Sequence, residues 1–182
     1  VEEIRKYAHG LKVMGGGFTL SGGEPLMQAR FAARLFAAVK AMGVHTAIET
    51  NGCFGDRLSD EELKTIDLVI LDMKAFTPQQ HRRVTGMDNE DVLGFARRLA
   101  ALKRPMWLRY VLVPGLTDDP DEMRWLAEFC ASLGTVERAE ILPFHQMGRY
   151  KWKKLGVQYP LEATQPPTNQ QVDEAIAIFR GA

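Results

Sequence analysis

Apolar residues recur along this chain with two alternating periods, one helical and one extended. Val1, Ile4, Tyr7, Ala8 and Leu11 fall on one face of a helix over residues 1–13, and Gly15, Gly16 and Gly17 then open a turn. Phe18-Thr19-Leu20 reads as a short strand running into Ser21-Gly22-Gly23-Glu24-Pro25. Phe31, Leu35, Phe36, Val39 and Met42 predict a helix closed by Gly43. The cycle repeats. Residues 44–50 read as a strand, and Ser59 with Glu62 forms a capping box before a short helix. Leu68-Val69-Ile70-Leu71 is a continuous apolar run, as in a strand covered on both faces. Thr77-Pro78 starts another helix, and Leu93, Ala96, Leu99 and Ala100 stripe the next. Residues 106–113 form a strand stopped by Pro114-Gly115. Residues 118–133 form a helix ended by Gly134, and residues 139–142 a last strand. A helix over 168–180, capped by Thr168 and Gln171, closes the chain; residues 148–167 show neither period and read as an extended loop or arm.

Strands alternating with helices imply a parallel sheet, because parallel neighbours need crossover connections. The right-handed crossover rule allows an open doubly wound sheet or a barrel, and the pattern does not choose between them. With 182 residues, one α/β domain is expected over 1–182. A formal net charge of zero offers no basic stripe for nucleic acid and no uniform field for a membrane surface. No apolar run approaches the roughly 18 residues of a membrane span. Two cysteines, Cys53 and Cys130, do not make a secreted disulfide scaffold, so a cytoplasmic protein is expected.

Ligands of parallel sheets gather at the carboxyl ends of the strands, and each end of this chain's strands carries polar residues. Gly22 and Gly23 let the backbone come close to a ligand, with Glu24 able to accept from an amine; the plainer reading is a strand-to-helix turn. Glu49 and Asn51 share one side of their strand and Thr50 takes the other, an oxygen set suited to a hard cation or to ribose hydroxyls, or else to a simple turn. Asp72 and Lys74 emerge where a buried strand ends, as a ligand site or a structural pair. Arg109 interrupts an apolar strand and must face a polar interior or meet a carboxylate; His145 follows the last strand, where a lone histidine is often structural. His9, His45 and His81 are read as surface or packing residues, Cys130 as a buried small hydrophobe, and Cys53 as exposed.

Taken together, these motifs resemble one family. Ser21-Gly22-Gly23-Glu24-Pro25 is similar to the S-adenosylmethionine-binding turn of radical-SAM enzymes. Four later stretches resemble the branch of glycyl-radical activating enzymes of the pyruvate formate-lyase type. They are Glu49-Thr50-Asn51-Gly52, the run from Asp67 to Lys74, the run from Arg109 to Gly115, and Leu142-Pro143-Phe144-His145 followed by Gly148 and Lys151-Trp152. The resemblance implies a partial, open TIM-like (β/α) barrel of which five parallel strands stand in this chain. It implies that Gly22, Gly23, Glu24, Asn51, Asp72, Met73, Lys74, Arg109 and His145 line S-adenosylmethionine, with Arg109 near its carboxylate or the substrate loop. It also implies a monovalent cation held by Glu49, Thr50, the backbone of Ile70, and Asp72, although the family carries aspartate where this chain has Glu49.

In that family a three-cysteine loop after the first strand binds a 4Fe-4S cluster. The reduced cluster cleaves S-adenosylmethionine to a 5′-deoxyadenosyl radical, which takes hydrogen from a glycine of the partner enzyme. The implied partners are a glycyl-radical enzyme such as pyruvate formate-lyase and a flavodoxin-like electron donor. This chain carries no such loop. The expectation is therefore a truncated activating enzyme, without the family's first strand and cluster loop and inactive alone. Two other readings stand beside it: a cluster-less S-adenosylmethionine-binding or interaction module, and a barrel enzyme holding a divalent metal through Glu49 and Asp72.

Overall fold

In the computed structural model, which describes residues 1–182, the alternation of strand and helix is carried out over one sheet. The chain opens with α1 (Glu2–Val13), β1 (Gly17–Leu20), a 3₁₀ turn (Pro25–Gln28) and α2 (Ala29–Lys40). There follow β2 (His45–Thr50), a second 3₁₀ turn (Gly55–Arg57), α3 (Asp60–Leu63), β3 (Leu68–Asp72), α4 (Pro78–Thr85), α5 (Glu90–Ala101) and β4 (Met106–Leu112). The chain ends with α6 (Pro120–Leu133), β5 (Val136–Pro143), a third 3₁₀ turn (Gln146–Gly148), α7 (Arg149–Lys154) and α8 (Asn169–Arg180).

Local chemistry sets most of these ends. The Ser59–Glu62 and Thr168–Gln171 capping boxes both form. Helix α6 begins at Pro120 rather than at residue 118, because Asp119 caps it and proline takes the first helical position. Gly134 closes that helix in the left-handed conformation. Strand β5 starts at Val136, ahead of the apolar stretch 139–142; its first part carries exposed Glu137 and Arg138, the charged dressing of an edge strand, which read as loop.

The strands are all parallel and stand in the order β1-β2-β3-β4-β5. Each crossover therefore steps one strand in the same direction, and right-handed connections then put every helix on one face of the sheet. A doubly wound sheet reverses direction and covers both faces, so it is excluded. β1 and β5 do not pair with each other, and the sheet stays open.

The helix-covered face holds the main core. Ile48, Val69, Leu71, Leu108 and Tyr110 pack there with Phe36, Leu99 and Leu126 from the helices. Helix α8 adds Phe179, whose ring lies 5.5 Å from that of Tyr110. The Tyr110 hydroxyl donates to the Thr117 carbonyl at 2.6 Å, and burial pushes its ionisation well above the usual range. Helix α1 joins α2 and β1 through a smaller cluster around Ala8, Val39 and Val44.

The opposite face carries no helix. Ala47, Leu68 and Ile70 form a small apolar patch under Trp107, and nearer the carboxyl ends the same rows present Glu49, Asp72, Arg109 and Glu140. Strand β4 consequently alternates strictly between buried and half-buried positions. Strand β3 reads as covered on both faces, yet its second face is shielded only by side chains of its flanking strands, as expected for the middle strand of an open sheet.

Residues 148–167 are not wholly irregular: they contain α7. The segment folds back on itself. Trp152 and Tyr159 stack with centroids 5.3 Å apart, Arg149 pairs with Glu162, and the Gln146 amide donates to the carbonyls of Leu161 at 2.9 Å and Thr164 at 2.8 Å. No helix is long and apolar enough to cross a membrane.

Candidate functional site

Because the strands are parallel, their carboxyl ends meet along one edge of the sheet, and every strand-end residue singled out in the sequence lies on that edge or just inside it. The first tip is built by backbone conformation. Gly22 has φ +93° and Gly23 φ +47°, both in the region that favours glycine, and a Cβ at either would meet nothing within 4 Å. Conformation, not crowding, demands glycine here, and the space in front of this backbone is open to a ligand.

Glu24 holds the tip in place. Its carboxylate accepts from Leu26 N–H at 2.9 Å, from the Thr50 hydroxyl at 2.7 Å and from Asn51 N–H at 2.8 Å. It thus caps the turn into α2 and laces the β1 tip to the β2 tip. The sequence offered this carboxylate as an acceptor for a ligand amine; in the fold three internal donors already occupy it. The Asn51 side chain accepts from Cys53 N–H at 3.0 Å and shapes the turn after β2. The Thr50 side chain is buried on the helix-covered side, whereas Glu49 stands on the open face.

At the third tip, Lys74 donates to Asp72 Oδ2 at 2.6 Å. The other oxygen, Asp72 Oδ1, is buried and has no partner. A buried carboxylate oxygen with nothing to accept calls for an explanation, and a bound water, an ion or a ligand donor is the kind of partner it lacks. Met73 points the other way: its side chain is in the main core at 2% exposure, so only its backbone faces the edge. Period 2 in a strand puts its side chain on the face opposite Asp72 and Lys74, so Met73 can meet a ligand on the edge only through its backbone.

Arg109 is the hub of the open face. It donates to Glu49 across β3, and its Nη2 and Nε reach one oxygen of Glu140 at 2.9 and 3.3 Å; Arg138 holds the other Glu140 oxygen at 3.1 Å. Burial alone lowers the Arg109 pKa, but the hydrogen bonds to Glu140 and Glu49 outweigh it and raise the net value. Glu140 was not singled out from sequence. The available signal was a lone carboxylate inside the apolar stretch 139–142. His145 lies at the end of β5, exposed, its Nδ1 accepting from Met147 N–H at 3.3 Å. It shares the edge, but no hydrogen bond ties it to the other tips.

The four positions matched to a cation divide. Glu49, Ile70 and Asp72 share the open face, Glu49 is taken by Arg109, and the Thr50 hydroxyl is taken by Glu24. No group of three or more His, Cys, Asp or Glu side chains is placed to hold a metal ion. An iron–sulfur cluster needs several thiolates on one loop or pocket. Cys130 is buried in the main core, its pKa pushed up to about 12 by burial, and Cys53 sits half-buried after β2, raised by burial and by the charges of Glu24 and Asp91. These two residues do not fit a cluster.

An open, singly wound parallel sheet with its helices on one face is a partial (β/α) barrel, here with glycine backbone and an orphan carboxylate oxygen on its carboxyl edge. The radical SAM superfamily model matches residues 1–127. The pyruvate formate-lyase-activating enzyme of Staphylococcus epidermidis is 47% identical over 181 residues, covering 96% of this chain and 72% of the relative; that of Staphylococcus aureus is 46% identical over the same share of each. A domain of pyruvate-formate lyase-activating enzyme from Bacteroides vulgatus has the same fold, with a TM-score of 0.73 at 25% identity, over 91% of this chain and 94% of that one. The chain belongs to the radical SAM superfamily and, within it, to the family of the pyruvate formate-lyase-activating enzymes.

Proposed function

We propose that this chain is the S-adenosylmethionine-binding body of a pyruvate formate-lyase-activating enzyme, acting on a glycine of a pyruvate formate-lyase. The observation that carries the reading is the carboxyl edge itself: open glycine backbone at the β1 tip and, across β2 on the same edge, a buried, unpartnered Asp72 oxygen at the β3 tip. When bound, S-adenosylmethionine supplies a sulfonium centre and, in this family, radical-forming chemistry.

The chain's own residues would hold and orient it. Gly22 and Gly23 let the methionyl end approach the main chain, and Glu24 fixes that turn through Thr50 and Asn51. Asp72 Oδ1 would accept from a ligand hydroxyl or ammonium, while Lys74, already paired to Oδ2, keeps the carboxylate oriented. The open face beneath, walled by Arg109 and its carboxylates, is where a polypeptide substrate would enter. A monovalent cation beside the ligand would need Arg109 to release Glu49. Cys53 and Cys130 do not fit an iron–sulfur cluster and supply no ligands to one.

Isothermal titration calorimetry with S-adenosylmethionine tests the reading. The chain is expected to bind it, and Asp72→Ala is expected to weaken binding by about tenfold or more, since a charge-assisted hydrogen bond contributes about 1.5–3 kcal/mol. Absence of heat, or equal affinity in the variant, overturns it.

A further inference from the structure

The segment after β5 carries features that the ligand edge does not use. Gln146, Tyr150, Trp152, Lys153, Val157 and Tyr159 are among the residues lining a groove of about 670 Å³. Met147, which also lines it, is 75% exposed to solvent. Single exposed apolar residues are ordinary, but a rimmed apolar groove of this size marks an interaction site.

Two further observations say what would fit. Helix α7 holds four cations, Arg149, Lys151, Lys153 and Lys154, and only Arg149 has a carboxylate partner, Glu162. Lys153 lines the groove beside the paired Arg149 and Glu162, and Lys151 and Lys154 stand exposed on the same short helix without a carboxylate partner. Gln146 Oε1 is buried and accepts from nothing, while both hydrogens of its amide are committed to the Leu161 and Thr164 carbonyls. Those two acceptors fix the amide orientation and tie Gln146 to the fold-back of the lobe, with its Oε1 shut away from the groove. A chain that brings an apolar side chain to the Trp152–Tyr159 wall and carboxylates to the unpaired lysines of α7 complements both features.

We propose that the segment 146–162 is a docking lobe for an acidic polypeptide segment carrying an apolar anchor residue, presented by the protein partner at the carboxyl edge. The lobe follows directly from His145 at the end of β5, so a segment held there sits beside the mouth of the open face. The inference rests on the proposed function for the partner being a polypeptide that must reach that mouth; the groove chemistry stands independently. Charge complementarity steers and orients such an encounter, and the apolar anchor supplies the holding contact.

The test is calorimetry on the whole chain with capped synthetic decapeptides: one of Asp and Glu around a single Phe, one with Ala in place of Phe, and one with Lys in place of the acids. The acidic Phe peptide is expected to bind, and each of the other two to bind less tightly. Replacing Lys151, Lys153 and Lys154 by Gln is expected to weaken it about tenfold, three surface charges each contributing a modest factor. All three side chains are exposed, so this variant keeps the fold. Equal affinity in the triple variant or for the Lys peptide overturns the proposal. So does tighter binding to phosphatidylglycerol vesicles or duplex DNA, which would assign the lobe to a lipid surface or nucleic acid. S-Adenosylmethionine titrated into the same two preparations separates this outcome from that of the proposed function: the triple variant should bind it as the parent does, and a failure of the parent to bind it leaves the peptide result standing.

Discussion

Glu24 shows how one residue type supports two readings that only geometry separates. From sequence, a glutamate after two glycines at a strand end is a candidate acceptor for a ligand amine. In the fold its two oxygens take Leu26 N–H, the Thr50 hydroxyl and Asn51 N–H, so it positions the turn that presents Gly22 and Gly23. Replacing it with glutamine puts an NH₂ group where one oxygen accepted from two donors or one, and leaves a donor unmatched. Glu24→Gln is therefore expected to destabilise the protein by about 1–3 kcal/mol in urea unfolding and to weaken S-adenosylmethionine together with it. Unchanged stability with weakened ligand binding would instead make Glu24 a direct ligand contact.

At the scale of elements, polar ties between neighbouring strands fix the positions of the tips. Arg109 joins β2, β4 and β5 on the open face, and Asp67 joins β2, α2 and the start of β3 at the opposite end. The Asp67 carboxylate accepts from Lys40, from Thr46 N–H at 3.0 Å and from the Thr46 hydroxyl at 3.1 Å. Burial raises its pKa, but the bonds from Lys40 and Thr46 outweigh this and the net shift is downward. A carboxylate with a lowered folded value stabilises fully above its unfolded value of about 3.9, and that contribution is lost as pH falls through the lower folded value. Asp67→Asn is expected to lower stability at neutral pH and to flatten the acid limb of the stability curve below about pH 4. A parallel shift of the two curves at all pH values would show that Asp67 contributes through shape alone.

For the molecule as a whole, the singly wound order leaves two consequences: one helix-free face and two free sheet edges. The β5 edge is dressed with Glu137, Arg138 and Glu140 and ends in Pro143, which discourages pairing with another chain. The β1 edge, Gly17–Leu20, carries no charge. An uncharged edge strand is a template for another strand, so the chain is expected to self-associate with rising concentration in sedimentation velocity. Thr19→Lys should suppress this association, and a concentration-independent monomer would show that the four-residue edge is too short to recruit a partner.

Much of this was legible in the sequence because it is local. Periodicity, capping boxes and terminal glycines set the strands and helices to within a few residues, and the motifs at the strand ends named the family. Contacts distant in sequence were not legible. Parallel strands and right-handed crossovers allow either a reversing or a one-way strand order, and only the packing of all helices on one face selected the latter. In the same way, the pairings of Glu49 with Arg109 and of Glu24 with Thr50 depend on register between strands 20 to 60 residues apart, which no local pattern encodes.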